Sequence, residues 1–521
     1  MSPARPTLAA AVADLVLARP EARPGLGRVL ACDVAPADWA RAAAAMAANG
    51  GRLAALWIDP GTQPWRALAL FANGGDYVLL QAELAADPTR LPSLSPHFAA
   101  AERIERGMHD LLGVEFEGLV DRRRWIRHRA WGADEHPLRA TPVPPARVPA
   151  DTDYAYAPIH GESVHQVQVG PIHAGIIEPG QFRFATVGEQ ALRLELRLGF
   201  VHRGVQAQAI GRNADGLLRL ATRVSGDSAV AHAWAAAMAL ERAATTEPPA
   251  RALALRALLL ERERVANHLG DAGAIANDVG FSFAQMQFSA LRERWQRSSA
   301  MLFGHRLLFD TLAPGGVRCD LDGEGMARLL RDHREVRESM TPLTDIVLDH
   351  PSLDDRLIGT GVLSAEDARL LGCIGYVGRA SGQDVDLRRD APHAPYDSLD
   401  VRVPLYAQGD VAARLRVRLD EIMVSLDLMD RLLASLPAGP VSTTWEPPAR
   451  GGAGLGLVEG WRGETIAWVS LDGSGRVSCY QPRDPSVMNW PALERLLPGN
   501  IVPDFPVCNK SINGSYAGHD L

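Results

Sequence analysis

Thiols are scarce in this chain of 521 residues: Cys32, Cys319, Cys373, Cys479 and Cys508 make up the whole set, and no two form a CxxC pair. An odd, scattered set argues against a secreted disulfide framework. It also argues against a cysteine-ligated zinc or iron–sulfur site, so no metal is expected within this chain. Long apolar runs are missing too. The longest, Ala229 to Leu240, has 12 residues and contains His232, short of the roughly 20 residues that span a bilayer. The N-terminal stretch lacks signal-peptide order because Asp14 and Arg19 interrupt it. A soluble or peripheral protein is expected. There is no basic excess: 54 Lys and Arg face 62 Asp and Glu, a net charge of -8, so nucleic acid is not expected as a partner. Lys510 is the single lysine, a composition bias from which no function is drawn.

What is present suits a folded protein. Hydrophobic residues make up 47% and charged residues 22%, which excludes disorder and collagen-like repeats. Six prolines between Pro137 and Pro158 mark one composition break, read as an extended linker over 137–158. Residues 1–136 before it combine an Ala-rich helical pattern (37–48) with strand-like runs at 52–58 and 76–81, a small α+β domain. Residues 159–521 open on alternating strands at 164–169, 182–184 and 191–198. Helical spacing follows at 250–275, with an acidic and basic face, and at 411–436; a strand-rich tail starts near Leu457. The fold class is α+β: a small N-terminal domain, then a large, mainly helical domain with β-sheet at its start and end.

Four stretches carry candidate chemistry. In VGPIHAGIIEPGQFRF (169–184), His173 precedes Glu178 by five residues in a Gly/Pro-punctuated loop. Such a pair can pass protons between a buried site and water; on spacing alone, a capped loop whose His only bonds backbone is the commoner arrangement. In LGFVHRGV (198–205), His202 and Arg203 suit either a structural clasp or the tuning of a redox centre. TRVSGDSAVA (222–231) enters a helix that Asp227 or Ser228 can cap. RDPSVMNW (483–490) reads on its own as a turn.

Together these stretches resemble the large subunit of group 4 nickel–iron hydrogenases, of the formate hydrogenlyase and hydrogenase-4 type, which is homologous to the 49 kDa subunit of respiratory complex I. PGGV (314–317), GRASGQDVDLRRDAPHAPYD (378–397) and GWRGE (460–464) add to the match in the right order. RGMHDLLGVEFEGLVDRRRW (106–125) and HPLR (136–139) resemble the complex I 30 kDa subunit. The resemblance implies a fused pair of modules: 1–136 like the 30 kDa subunit and 159–521 like the 49 kDa subunit.

The sequence departs from that family where it matters for metal. The family holds nickel and iron with two CxxC pairs; here the positions read Ser225, Ser228, Ser486 and Asn489. Hydroxyls and an amide are hard, neutral donors, poorly matched to such a centre, so the resemblance implies a relative without it. Cys479 and Cys508 do not fall at the ligand positions. In the complex I subunit the equivalent cavity takes a quinone, held by a loop His and a Tyr. His173 matches that His, while the Tyr position falls on Gly226. By the same carry-over, Glu178 lies on a proton route, Asp227 is the nearest acid that could take up proton work, Arg223 precedes the first pair, and Arg379 sits near the cavity. Asp384, Asp386 and Arg388 follow it, with an ion-pair network as the alternative role.

The implied function is that of a large subunit passing electrons from a partner [4Fe–4S] subunit to a quinone or similar acceptor, coupled to proton or ion translocation by membrane subunits. Its implied place is the cytoplasmic face of the inner membrane, as a peripheral subunit, and NAD binding attaches to the complex I likeness. The alternatives are a catalytically silent coupling subunit and an active nickel–iron hydrogenase. A closed cavity, filled by residues such as Met488 and Trp490, would favour the silent subunit.

Overall fold

The computed structural model describes residues 7–85, 89–128, 130–132, 134–139, 154–175 and 177–521. Residues 140–153, the middle of the proline-rich stretch, lie outside the described set. The near end of that stretch docks back on the first module, where Leu138 N donates to Leu111 O at 2.9 Å.

The first module is a five-stranded sheet in the order Glu21–Ala22, Leu30–Asp33, Asp76–Leu84, Trp65–Asn73, Arg52–Asp59, with one parallel pairing between Leu30–Asp33 and Asp76–Leu84. The apolar runs read as strands at 52–58 and 76–81 form two of these strands. One face is covered by the helices Trp39–Ala48 and Ala101–Leu112. The opposite face carries Ala55, Trp57, Leu68, Leu70 and Leu79, which pack on Leu455, Ile466, Trp468 and Cys479 of the last sheet. The two modules therefore share a core, and Trp57 meets Trp468 with ring centroids 5.6 Å apart.

The second module opens with a three-stranded antiparallel sheet, His165–Val169, Gln181–Val187 and Gln190–Arg197. At its heart lies the helix Ala229–Ala243, the longest apolar run of the sequence, buried along nearly its whole length. It rests on the strand Gly452–Gly460 at backbone distance. A Cβ at Gly454 or Gly456 would stand 1.9 Å from the carbonyl oxygens of Ala239 and Ala235, so only glycine permits this contact. The helix Ala250–Asp278 packs against it; Ser282–Phe303 and Val411–Ala434 pack on Ala250–Asp278 in turn, and Gly323–Leu348 packs on those two.

The acidic and basic face of the long helix lies in the interior: Glu261, Arg262, Glu263 and Arg264 are all buried, with Glu261 paired to Arg264 and Arg388. The helix is walled in on all sides, and buried charge persists only with partners. The strand-rich region near the end is present, and helices follow it. After the strands Gly452–Gly460, Gly463–Leu471 and Val477–Arg483 come three helices, Ser486–Leu496, Phe505–Ile512 and Tyr516–Asp520. No helix among the described residues is long and apolar enough to cross a membrane.

Candidate functional site

The two halves of the sequence-predicted site meet in space. Ser225 and Ser228 stand at the entry of the helix Ala229–Ala243, and Ser486 and Asn489 lie on the first turn of Ser486–Leu496. All four are 0–3% exposed. Ser225 Oγ donates to Asp227 Oδ1 at 2.7 Å and shares a hydrogen with Ser515 Oγ at 2.8 Å. Ser515 N donates to Ser486 Oγ at 2.8 Å, which closes the link from one pair to the other. Asn489 turns away and clamps the backbone of Ile374, accepting from its N–H at 3.0 Å and donating to its oxygen at 3.2 Å.

An ion pair completes the closure. Arg462, from GWRGE, grips Asp227 with two parallel bonds of 2.6 and 2.7 Å, and also donates to Ser228 Oγ at 3.1 Å. Trp461 Nε1 donates to the same hydroxyl at 3.0 Å. Burial pushes the Asp227 carboxyl up, but the Arg462 guanidinium and the Ser225 hydroxyl outweigh this and hold it below its ordinary range. Beneath it, Asp484 faces His232 Nε2 at 2.8 Å and accepts from Ser486 N at 2.8 Å. Burial raises this carboxyl too, yet His232 and Arg462 bring it well below the carboxylate range. Met488 and Trp490 are fully buried and pack the far side of the same turn.

The helix entry is capped differently from expectation. Ser228 makes no side-chain cap bond. Glu263, from the next helix, accepts instead from Val230 N at 2.6 Å and Ala231 N at 3.2 Å. The hydroxyl and carboxylate at the entry are already committed to Arg462, so the free N–H groups take an acceptor from a neighbour. Burial pushes Glu263 up to about 8, against the lowering effect of those two N–H groups. A space of about 20 Å³ between Gly226, Asp227, Glu263 and Asn267 separates the two acids, room for about one water.

The rim of the site is half-exposed. His173 sits in its loop with Nδ1 3.2 Å from Pro171 O, and its Nε2 lies 3.5 Å from the Tyr516 hydroxyl, the long limit of a hydrogen bond. Exposed Glu178 accepts from Ala517 N at 2.9 Å. The helix Tyr516–Asp520 and the residue before it thus touch the loop, the helix entry and the second pair together. His202 and Arg203 belong to the same clasp: His202 Nδ1 lies 2.8 Å from Asp520 O, and Arg203 donates to the Val224 carbonyl at 2.7 Å.

Other predicted residues fall elsewhere. Arg223 lies on the surface, paired with Asp310 at 2.6 Å, and Gly226 is exposed beside Phe309. Arg379 is fully buried among Glu421, Glu459 at 3.1 Å and Asp386 at 3.4 Å. It reaches the serines only through Glu421, His268 and Trp461. Arg388 pairs with Asp386 at 2.7 Å, and Asp384 with Arg389 at 2.7 Å. Cys479 is buried in the core shared by the modules and Cys508 in the helical core. Among the described residues, no group of three or more His, Cys, Asp and Glu side chains is arranged to hold a metal ion.

Sequence reading missed Arg462, Glu263, Asp484, Ser515 and Tyr516. GWRGE offered the one usable signal, an Arg flanked by Trp and Gly within a matching motif. The others act across the fold, Ser515 at 290 positions from Ser225, a separation that no local pattern encodes.

Comparisons with known proteins agree with this architecture. The family described as respiratory-chain NADH dehydrogenase, 30 Kd subunit, matches residues 33–146, and the 49 Kd subunit family matches residues 278–450. Formate hydrogenlyase subunit 5 of Escherichia coli is 31% identical, over 85% of this chain and 79% of its own length. Hydrogenase-4 component G of Escherichia coli is 32% identical, over 85% and 78%. A chain from the structure of the membrane-bound sulfane sulfur reductase, an archaeal respiratory membrane complex, superposes with a TM-score of 0.65 at 26% identity, covering 70% of this chain and 100% of that one. This chain belongs to the family of large subunits that fuse complex I 30 kDa-like and 49 kDa-like modules, with formate hydrogenlyase subunit 5 and hydrogenase-4 component G among its members.

Proposed function

We propose that this chain is the large peripheral subunit of a membrane-bound respiratory oxidoreductase complex that works without a nickel–iron centre. In this reading, electrons arrive from a partner [4Fe–4S] subunit and leave to a quinone or similar small acceptor at the rim, beside His173 and Tyr516. Membrane subunits couple the transfer to ion movement, and the chain rests on the cytoplasmic face of the membrane. The relatives named above support membership of such a complex. Their names cover formate, NADH and sulfane sulfur chemistry, so family membership does not fix the acceptor.

Donor chemistry supports the missing metal. Ser225, Ser228, Ser486 and Asn489 supply no thiolate, and every one is already hydrogen-bonded; soft ligands select nickel and low-spin iron, and these are hard and neutral. The single observation that carries the acceptor reading is the approach of buried Tyr516 to half-buried His173 at 3.5 Å. The family's helix-entry Tyr is absent at Gly226, and a phenol from another element stands by the loop His in its stead. Both groups can donate to a reduced oxygen, and Glu178 offers a carboxylate toward water.

The experiment uses the purified complex. Elemental assay is expected to return no stoichiometric nickel; a full equivalent would overturn the proposal. His173→Ala and Tyr516→Phe are each expected to lower quinone-analogue reduction by about a hundredfold. A second reading, a silent coupling subunit, is favoured by the burial of Met488 and Trp490 against the closed network. Unchanged turnover in both variants would select it.

A further inference from the structure

We propose that the cavity between the two modules is a binding site for a single-ring aromatic carboxylate. This inference does not depend on the acceptor reading above, because none of His173, Glu178, Ser225 or Ser486 lines the cavity.

The cavity has a volume of about 140 Å³ and lies where the strand Arg52–Asp59 and the helix Ala101–Leu112 of the first module face the last sheet and the tail helix of the second. An apolar cavity of about 150 Å³ accepts a benzene ring. Its walls are built for one: Trp57, Trp125 and Trp468 contribute aromatic faces, and Ile58, Met108 and Leu111 fill between them. Ile210, 52% exposed, marks its mouth.

The polar groups on these walls set this cavity apart. Trp57 Nε1, Arg103 Nη1, Gln206 Oε1, the Tyr480 hydroxyl and Arg483 Nε are all buried without a hydrogen-bond partner, and all five residues line the cavity. Trp57, Tyr480 and Arg483 are at most 5% exposed. An unsatisfied buried polar group is costly, and each one calls for an explanation such as a bound molecule. Four of the five can donate, so the missing guest is an acceptor. Both signs of charge stand on these walls. Arg483 shares the carboxylate of Glu464 with Arg52, and the Asp520 carboxylate on the lining is paired with His519 at 2.7 Å. Arg103 is paired with Glu494 at 2.6 Å, and its guanidinium lies 4.9 Å from the Trp125 ring centroid. A ring beside the Trp57–Trp468 pair with a carboxylate turned to Arg483, Tyr480 and Trp57 satisfies shape and donors together.

The test is titration calorimetry on the full chain with benzoate, and with toluene as the ring without an acceptor. Saturable benzoate binding is expected, with toluene at least about tenfold weaker. Gly107→Leu is expected to abolish it. A Cβ at Gly107 meets only Ile126 at 3.7 Å, so the new side chain grows into the space, on a helix that leucine favours over glycine. Tyr480→Phe, which keeps the fold and removes one donor, is expected to weaken benzoate about tenfold and leave toluene unchanged. No benzoate binding to the unmodified chain would overturn the proposal. So would toluene binding as tightly as benzoate, or full-strength benzoate binding to a folded Gly107→Leu variant.

Discussion

The hydroxyls of Ser225 and Tyr480 are both buried, yet the first has two partners and the second has none. The regions around them differ in the same way. At the serines, three of the four positions singled out by the sequence resemblance are drawn into one chain of hydrogen bonds, and Arg462 pairs with the acid at its centre. Between the modules, five polar groups line a space that no side chain fills. Internal pairing of the hydroxyls marks the first pattern; room kept open by mismatched walls marks the second. Hydrogen-bond accounting, more than residue type, separates a site that has closed from one that still asks for an occupant.

The contrast can be broken most forcefully at Arg462. Arg462→Met strands Asp227, whose side chain is 35% exposed, and a loss of about 2 kcal/mol is expected, less than for a fully buried pair. Adding Asp227→Leu should recover most of it. Denaturant titration of the two variants checks this, and a single variant as stable as the parent would mean that the network does not hold the site shut.

Glu263 sharpens the comparison from inside the closed region. The folded protein keeps a proton on this acid up to about 8, whereas the unfolded chain releases it near the ordinary value of 4.5. Between those limits the native state binds more protons, so its stability falls as pH rises, by at most about 1.4 kcal/mol per pH unit. Glu263→Gln should flatten that slope between pH 5 and 8, measured as the difference in melting temperature from the parent.

Single hydroxyl deletions give the smallest and most direct contrast. Ser225→Ala removes two satisfied bonds and should cost about 1–2 kcal/mol. Tyr480→Phe removes a hydroxyl that has no partner and should be neutral or stabilising by up to about 1 kcal/mol. Equal losses at both positions would erase the distinction between the regions.

Much of this was legible in the sequence, and the limits have physical causes. The strands at 52–58 and 191–198 and the helices at 250–275 and 411–436 declare themselves through local periodicity. The four positions Ser225, Ser228, Ser486 and Asn489 came from the family resemblance, and the fold brings Ser225 and Ser486 together. What a resemblance cannot report is how these positions pair. Asp227 meets Arg462 across 235 positions, and Glu263 caps a helix that it does not belong to. The spacing of the charged run Glu261–Arg264 carries no sign of its burial; packing against neighbouring helices and the strand Gly452–Gly460 makes it interior.

The five-residue helix Tyr516–Asp520 has an architectural consequence. Tyr516 stands over His173 at one end, while His519 and Asp520 form part of the intermodule wall at the other. A shift of this strut is shared by both of its ends, so a guest lodged between the modules and an electron acceptor at the rim would sense one another through a single turn of backbone.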